Sequence, residues 1–407
     1  MESRTDGDVL MDPLLGPPQH SEASIAHLRE SDPVLWVPGL DVWFVTRHED
    51  VRLLFADSRL TADPRVYEGY QPPSEGDAAR WLSELPFRAR PSDSQMGGRR
   101  LVSAALTPRA VERMDRRVRE VVEEFSAPLH GRRGVVDLVA EFTAPVTATV
   151  IARILGVPQK PEDEIRFRQL ARRATRSIRP ILTEEKRRKT ERAGVEISEY
   201  VLGLVTERRE APREDMISDL VRASGTGAAA DLDDIVRVVA ALVAAGTGTT
   251  SLAATRALRA LMKHPEQLAL LRREPSLLAS AVHELLRYDS GVFGMPRYVL
   301  EDFDLRGRSL RKGQLVVLSI MGANRDPRVF SDPDRLDLRR ETKEAVTFGR
   351  GAHYCIGANL ALAQLRSIVE AALDFLPPGA RVLEDQVRWS KAGVQSQLKS
   401  LPTDFGA

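Results

Sequence analysis

A single cysteine, Cys355, stands in a chain of 407 residues, and its surroundings constrain the chain more than any bulk property does. It lies in Phe348-Gly349-Arg350-Gly351-Ala352-His353-Tyr354-Cys355-Ile356-Gly357, directly before a strong helical pattern from Ala358 to Leu376. One cysteine excludes an intramolecular disulfide framework and any multi-cysteine zinc or iron–sulfur site. Glycines at 349, 351 and 357 permit backbone geometries closed to other residues and let the chain approach a flat ligand closely. A cysteine just before a helix is stabilised as a thiolate by neighbouring amides and the positive helix end. His353 and Arg350 are donors or cations suited to a nearby carboxylate. The bland alternative is an ordinary buried cysteine, the usual fate of a lone one, and the flanking glycines argue against it.

Around that segment the pattern is mainly α with small β-sheets at two places. Val34–Val37, Pro38-Gly39-Leu40-Asp41 and Val42–Val45 read as a β-hairpin on a Pro-Gly turn. The polar, proline-bearing stretch from Asp63 to Asp93 is too long for an ordinary connection and is a candidate functional loop. Helical patterns dominate from Arg99 to Leu376, with breaks near Gly131–Gly134, Gly156–Pro158, Arg179-Pro180 and Ser224–Gly227. A second β-rich patch runs from Tyr298 to Ile320, with Leu315–Leu318 its clearest strand. No repeat or linker marks a boundary, so one domain over residues 1–407 is expected, with a flexible N-terminus to residue 18.

Residues are 43% hydrophobic and 29% charged with a net charge of +1, which allows a large core and gives no global field for nucleic acid. Met1 to Pro18 lacks the basic start and apolar run of a signal peptide. Val238 to Ala254 is uncharged and long enough to suggest a membrane span. Its Ala, Gly and Thr content makes it read instead as a helix buried through a large protein. A bacterial-type cytoplasm is the expected compartment, with no membrane partner.

The segment Phe348 to Gly357 resembles the ligand-loop signature of the cytochrome P-450 superfamily, the haem-thiolate monooxygenases. Phe-Gly-x-Gly-x-His-x-Cys-x-Gly is matched at every specified position, and the chain is similar in particular to soluble bacterial members, many of them in secondary metabolism. The resemblance implies a single α-rich domain enclosing haem b (iron protoporphyrin IX). Cys355 would be the axial iron ligand, with Phe348, Gly349, Gly351 and His353 around it. Glu284 and Arg287, on their own a common surface pair at i and i+3, would form a buried triad with an arginine from the following irregular segment, here Arg335. Arg297 would pair with one haem propionate. Arg99 and Gln95 would serve the other, although the family has a histidine where this chain has Gln95.

Ala245-Gly246-Thr247-Gly248-Thr249-Thr250 sits within the buried helix. Glycines among threonines weaken a helix, and threonine hydroxyls bond back to carbonyls a turn earlier, which suits a local widening; close helix packing is the bland alternative. In the family frame Thr249 is the alcohol that delivers protons on the dioxygen side. Gly248 replaces the usual Asp or Glu before it, so protons must come from water, another side chain or the substrate. Leu242, Val292, Phe293 and Gly294, with the 63–93 loop, are expected to line a pocket for a bulky, mostly apolar molecule.

Arg80, Arg88 and Arg90 in that loop either meet a carboxylate or are simply solvated. The arginine- and lysine-rich stretch from Arg166 to Arg192 is a solvated face or a dock for an acidic acyl-carrier protein bearing the substrate. Electrons would come from a ferredoxin and ferredoxin reductase, with Arg109, Arg113, Arg116 and Arg117 as basic contacts. Three functions follow: a monooxygenase acting on an organic small molecule, a haem-thiolate catalyst of oxidative coupling or peroxide-driven oxidation, and a non-enzymatic haem sensor.

Overall fold

The computed structural model describes residues 21–38, 40–70, 102–103, 105–158, 160–174, 184–224, 232–389 and 398–406. The expected flexible N-terminus, residues 71–93 of the candidate loop, Gln95, Arg99 and the Arg179-Pro180 break lie outside them. Backbone contacts divide the chain into two compact units, residues 1–71, 255–355 and 378–406 in the first and 72–254 with 356–377 in the second.

The first unit is built on a five-stranded sheet, ordered Val34–Val37, Val42–Val45, Leu315–Ser319, Gly294–Val299 and Leu60–Thr61. The hairpin expected from the sequence is present, with Val34 opposite Val45 and Val37 opposite Val42. Val42–Val45 then pairs in parallel with Leu315–Leu318, far along the chain, and Leu315–Ser319 pairs antiparallel with Gly294–Tyr298. Trp43, Val45, Val316 and Leu318 pack with Val51, Leu54 and Phe55 of helix His48–Ala56. Their neighbours Val42, Phe44, Leu315 and Val317 pack with Ile25 and Leu28 of helix Ser21–Ser31. Apolar residues on both faces explain why Leu315–Ser319 is buried at every position and reads as a continuous apolar run rather than an alternation. Each large side chain so buried contributes about 1.5–3 kcal/mol.

Helix dominates the second unit. Pro108–Ser126 begins where the Thr107 hydroxyl accepts the Ala110 amide, and it packs against Ala358–Phe375. Ala144–Leu155 stops at Gly156, whose φ of +82° is open to glycine at little cost. A Cβ there would also strike the Asp215 carboxylate. That carboxylate accepts from the fully buried Arg208 (Nε to Oδ2, 2.6 Å) and from the Ser218 amide (2.8 Å), while Arg208 also donates to the Gly156 carbonyl. One ion pair thereby joins the ends of Ala144–Leu155 and Glu184–Glu210 to the start of Met216–Ser224.

Helix Leu232–Lys263 passes from the second unit into the first after Ala254. It is long and apolar enough to cross a membrane by length and composition, but 67% of its most apolar window is buried within the protein. That matches the expectation of a core helix.

Candidate functional site

The Cys355 loop is closed by its own backbone, the Cys355 amide donating to the Phe348 carbonyl (2.9 Å). Gly349 and Gly351 both adopt φ +69°, the left-handed geometry their positions demand. Their open side faces helix His48–Ala56. A Cβ on Gly349 would lie 3.5 Å from the Phe55 ring, and one on Gly351 would lie 3.1 Å from the Phe55 carbonyl and the Ala56 Cα. These two glycines permit a close approach to that helix. Phe348 and Tyr354 meet at 6.3 Å between ring centroids. Burial, with a contribution from Cys355, pushes the Tyr354 phenol above its usual value. His353 ends a short 3-10 turn, Gly351–His353, and is half-buried. Arg350 approaches Glu344, and its Nε is buried without a hydrogen-bond partner.

Cys355 is exposed and carries no disulfide. Arg297, in strand Gly294–Val299, is 3% exposed; it donates to the Pro296 carbonyl, and its guanidinium carbon lies 5.2 Å from the Phe55 ring centroid. An accessible thiol, a buried arginine and an orphaned guanidinium nitrogen on the loop fit a ligand that carries both a thiophilic metal and carboxylates.

The Glu284–Arg287 pair is buried as the resemblance implied, both side chains being fully inaccessible. Arg287 Nε and Nη2 bind the two carboxylate oxygens at 2.6 and 2.9 Å. The third member is not Arg335, which is exposed and offers only its carbonyl. It is Arg340, whose Nε donates to Glu284 Oε1 at 3.1 Å. The irregular segment turns back at Asp332, where φ is +46°, and this brings the later arginine to the carboxylate. Arg287 also donates to the Asn324 carbonyl (2.8 Å), and the Asn324 side chain binds the Val346 amide and the Thr347 hydroxyl just before Phe348. Arg340 is a member of this network that motif spacing did not single out, whereas Asn324 lies in Ala323-Asn324-Arg325-Asp326-Pro327, a segment that also resembles a recurrent one of the family.

In the helix that carries Thr249 the expected local widening is absent, and Leu232–Lys263 runs unbroken as α-helix. The Thr249 hydroxyl donates to the Ala245 carbonyl at 2.6 Å, and Thr247 does the same to Val243 at 2.9 Å. These bonds add to the helix ladder without opening it. Beside Gly248 the helix offers no substitute acid: its last carboxylate is Asp234, about 22 Å from Thr249 along the axis at 1.5 Å per residue. Leu242 is half-buried and Ala245 exposed.

Of the residues expected to line a pocket, Gly294 opens a strand of the sheet and Phe293 packs against the sheet. Phe293 stacks on Phe44 at 5.1 Å within the core, and a Cβ on Gly294 would stand 2.7 Å from the Leu318 carbonyl. Val292 packs on the opposite cluster and stays partly accessible.

Among the basic residues, Arg109, Arg113 and Arg116 project from helix Pro108–Ser126, while Arg117 bends to the Glu214 carbonyl. Arg166 covers Tyr200, Arg168 reaches Thr149 and Phe125, and Arg173 pairs with Glu196. Three cations of the proposed carrier dock are thus engaged within their own unit.

Comparison with known proteins bears on the same residues. The chain matches the family model described as cytochrome P-450 over residues 35–374. It is 34% identical over 392 residues to nocardicin C N-oxygenase of Nocardia uniformis, covering 93% of this chain and 94% of that one. It is also 34% identical over 373 residues to mycinamicin IV hydroxylase/epoxidase of Micromonospora griseorubida, at 89% and 90% coverage. The solved structure of P450BioI in complex with hexadec-9Z-enoic acid ligated acyl carrier protein superposes with a TM-score of 0.86 at 26% identity, over 95% of this chain and 98% of that one. With its one cysteine in the ligand-loop motif and its likeness running nearly end to end, the chain belongs to the cytochrome P-450 family of haem-thiolate monooxygenases, among bacterial relatives of secondary metabolism.

Proposed function

We propose that this chain hydroxylates or otherwise oxidises a bulky, mostly apolar small molecule of secondary metabolism, of aromatic or polyketide-like type, using haem b and electrons from a ferredoxin and its reductase. The observation that supports it most is the seated Cys355 loop with its accessible thiol. Haem held there supplies the activation of dioxygen. Cys355 provides the thiolate ligand, with His353 beside it; Arg297 and Arg99 pair with the propionates, Gln95 adding an uncharged donor. Thr249 holds a proton at Oγ1, and because that proton is directed to Ala245, its lone pairs accept from a neighbouring water or substrate hydroxyl.

Turnover with a ferredoxin system under isotopic dioxygen tests the reading: labelled product supports it, and coupled product without label sinks it in favour of oxidative coupling. Gly248 favours that second reading, since coupling and peroxide-driven oxidation need fewer delivered protons. A carrier-tethered substrate is supported by the likeness to the carrier-bound relative. It is abandoned if the free small molecule is turned over as fast as its carrier-bound form. Cys355→Ser is expected to abolish the thiolate spectrum of the reduced carbon monoxide complex, and survival of that spectrum would show the ligand to be wrong.

A further inference from the structure

Phe55 belongs to neither the ligand loop nor the strand that carries Arg297, yet it touches both. The Arg297 guanidinium lies over its ring at 5.2 Å, and the ring edge faces Gly349. Its own carbonyl and the adjoining Ala56 would stand 3.1 Å from a Cβ on Gly351. The ring is 3% exposed. The helix beneath it is held firmly at its start. The His48 amide donates to Asp326 Oδ2 (3.0 Å), the His48 ring contacts the Glu344 carbonyl (2.8 Å), and Arg306 binds Asp50 (2.6 Å) and Glu49.

We infer that Phe55 is a positioning residue for the cofactor: one ring fixes the buried Arg297 guanidinium relative to the backbone of the Cys355 loop. The inference rests on the reading of Arg297 as a propionate partner. A cation over an aromatic face is attracted by the ring quadrupole, most strongly where water is excluded. A guanidinium held over a ring, and donating to the Pro296 carbonyl at 2.8 Å, keeps its donor fork oriented, so little freedom is lost when it takes a carboxylate. Because the same ring would lie 3.5 Å from a Cβ on Gly349, the metal-ligand loop and the propionate partner share one neighbour. Disturbing the face of the ring should therefore alter the electrostatics of the cofactor as well as its retention.

The test uses the haem-loaded chain with Phe55→Leu, and with mono- and trifluorophenylalanine at position 55, which keep the ring's shape while withdrawing charge from its face. The readouts are the haem midpoint potential and the rate at which haem passes to excess cofactor-free myoglobin. Release is expected to quicken stepwise with fluorination, by about three- to tenfold for the trifluoro ring and for leucine. The potential should shift in the same order, with the thiolate spectrum retained. A flat fluorine series with leucine alone altered overturns the inference, since Phe55 would then only fill space. Arg297→Ala separates the two readings. If that variant releases haem at the parent rate, the propionate role itself fails. If it releases haem faster while the Phe55 series stays parental, only the Phe55 inference fails.

Discussion

Glu284 accepts four hydrogen bonds at a carboxylate with no solvent contact: two from Arg287, one from Arg340 and one from the Asp337 amide. A buried anion is tolerable only when so satisfied, and an uncompensated one is costly. Arg340→Ala is therefore expected to lower stability by about 1–3 kcal/mol in urea unfolding of the haem-loaded chain. Arg335→Ala should stay within about 0.5 kcal/mol of the parent. Equal effects would return Arg335 to the network. The pair at i and i+3 was legible because helical spacing puts both side chains on one face. Its third partner was not, because in an irregular segment spacing does not encode direction. At Thr249 the proton argument predicts that Thr249→Ala raises peroxide release relative to product several-fold. Unchanged coupling removes this hydroxyl from the mechanism.

Between helices Pro161–Ala174 and Glu184–Glu210, Tyr200 lies beneath the Arg166 guanidinium at 5.3 Å. Burial first, then the nearby Asp163 carboxylate, pushes its phenol up from 10.0 to about 12, against the opposing pull of Arg166 and Arg208. A phenol with its folded value raised contributes stability that is fully present below pH 10 and lost as pH rises towards about 12. In an alkaline absorbance titration a step near pH 12 is expected, and that step should vanish in Tyr200→Phe. A parent without a late step would contradict the packing described. Helices of this kind were readable from their period and their breaks. Which ring one arginine covers was not, since that depends on how two successive helices pack against each other. The same limit explains Phe293 and Gly294: an apolar run after a helix looks alike whether it lines a pocket or enters a sheet.

At the scale of the whole molecule, charge nearly cancels, so long-range attraction must come from local patches. Arg113 and Arg116 stand on the exposed face of Pro108–Ser126. Reversing both to glutamate is expected to raise KM for ferredoxin several-fold at low salt, with kcat little changed and the difference fading at high salt. An effect on kcat alone would place the ferredoxin elsewhere. The family and the thiolate ligand were legible from ten residues, because one cofactor imposes one loop. The support beneath that loop was not, because Phe55 lies about 290 positions earlier in the sequence.

The parallel pairing of Val42–Val45 with Leu315–Leu318 carries a consequence for biosynthesis. The N-terminal hairpin leaves the ribosome about 270 residues before its partner strand exists. At about 5–20 residues per second it waits roughly 15–55 s with an unpaired edge that bears Trp43 and Phe44. An unpaired strand edge of this kind is a template for association with other chains, and the hairpin's native partners made by then include Ile25 and Leu28 of helix Ser21–Ser31. The contacts that hold helix His48–Ala56 at its start, to Asp326 and Glu344, can form only after more than four-fifths of these 407 residues have been made.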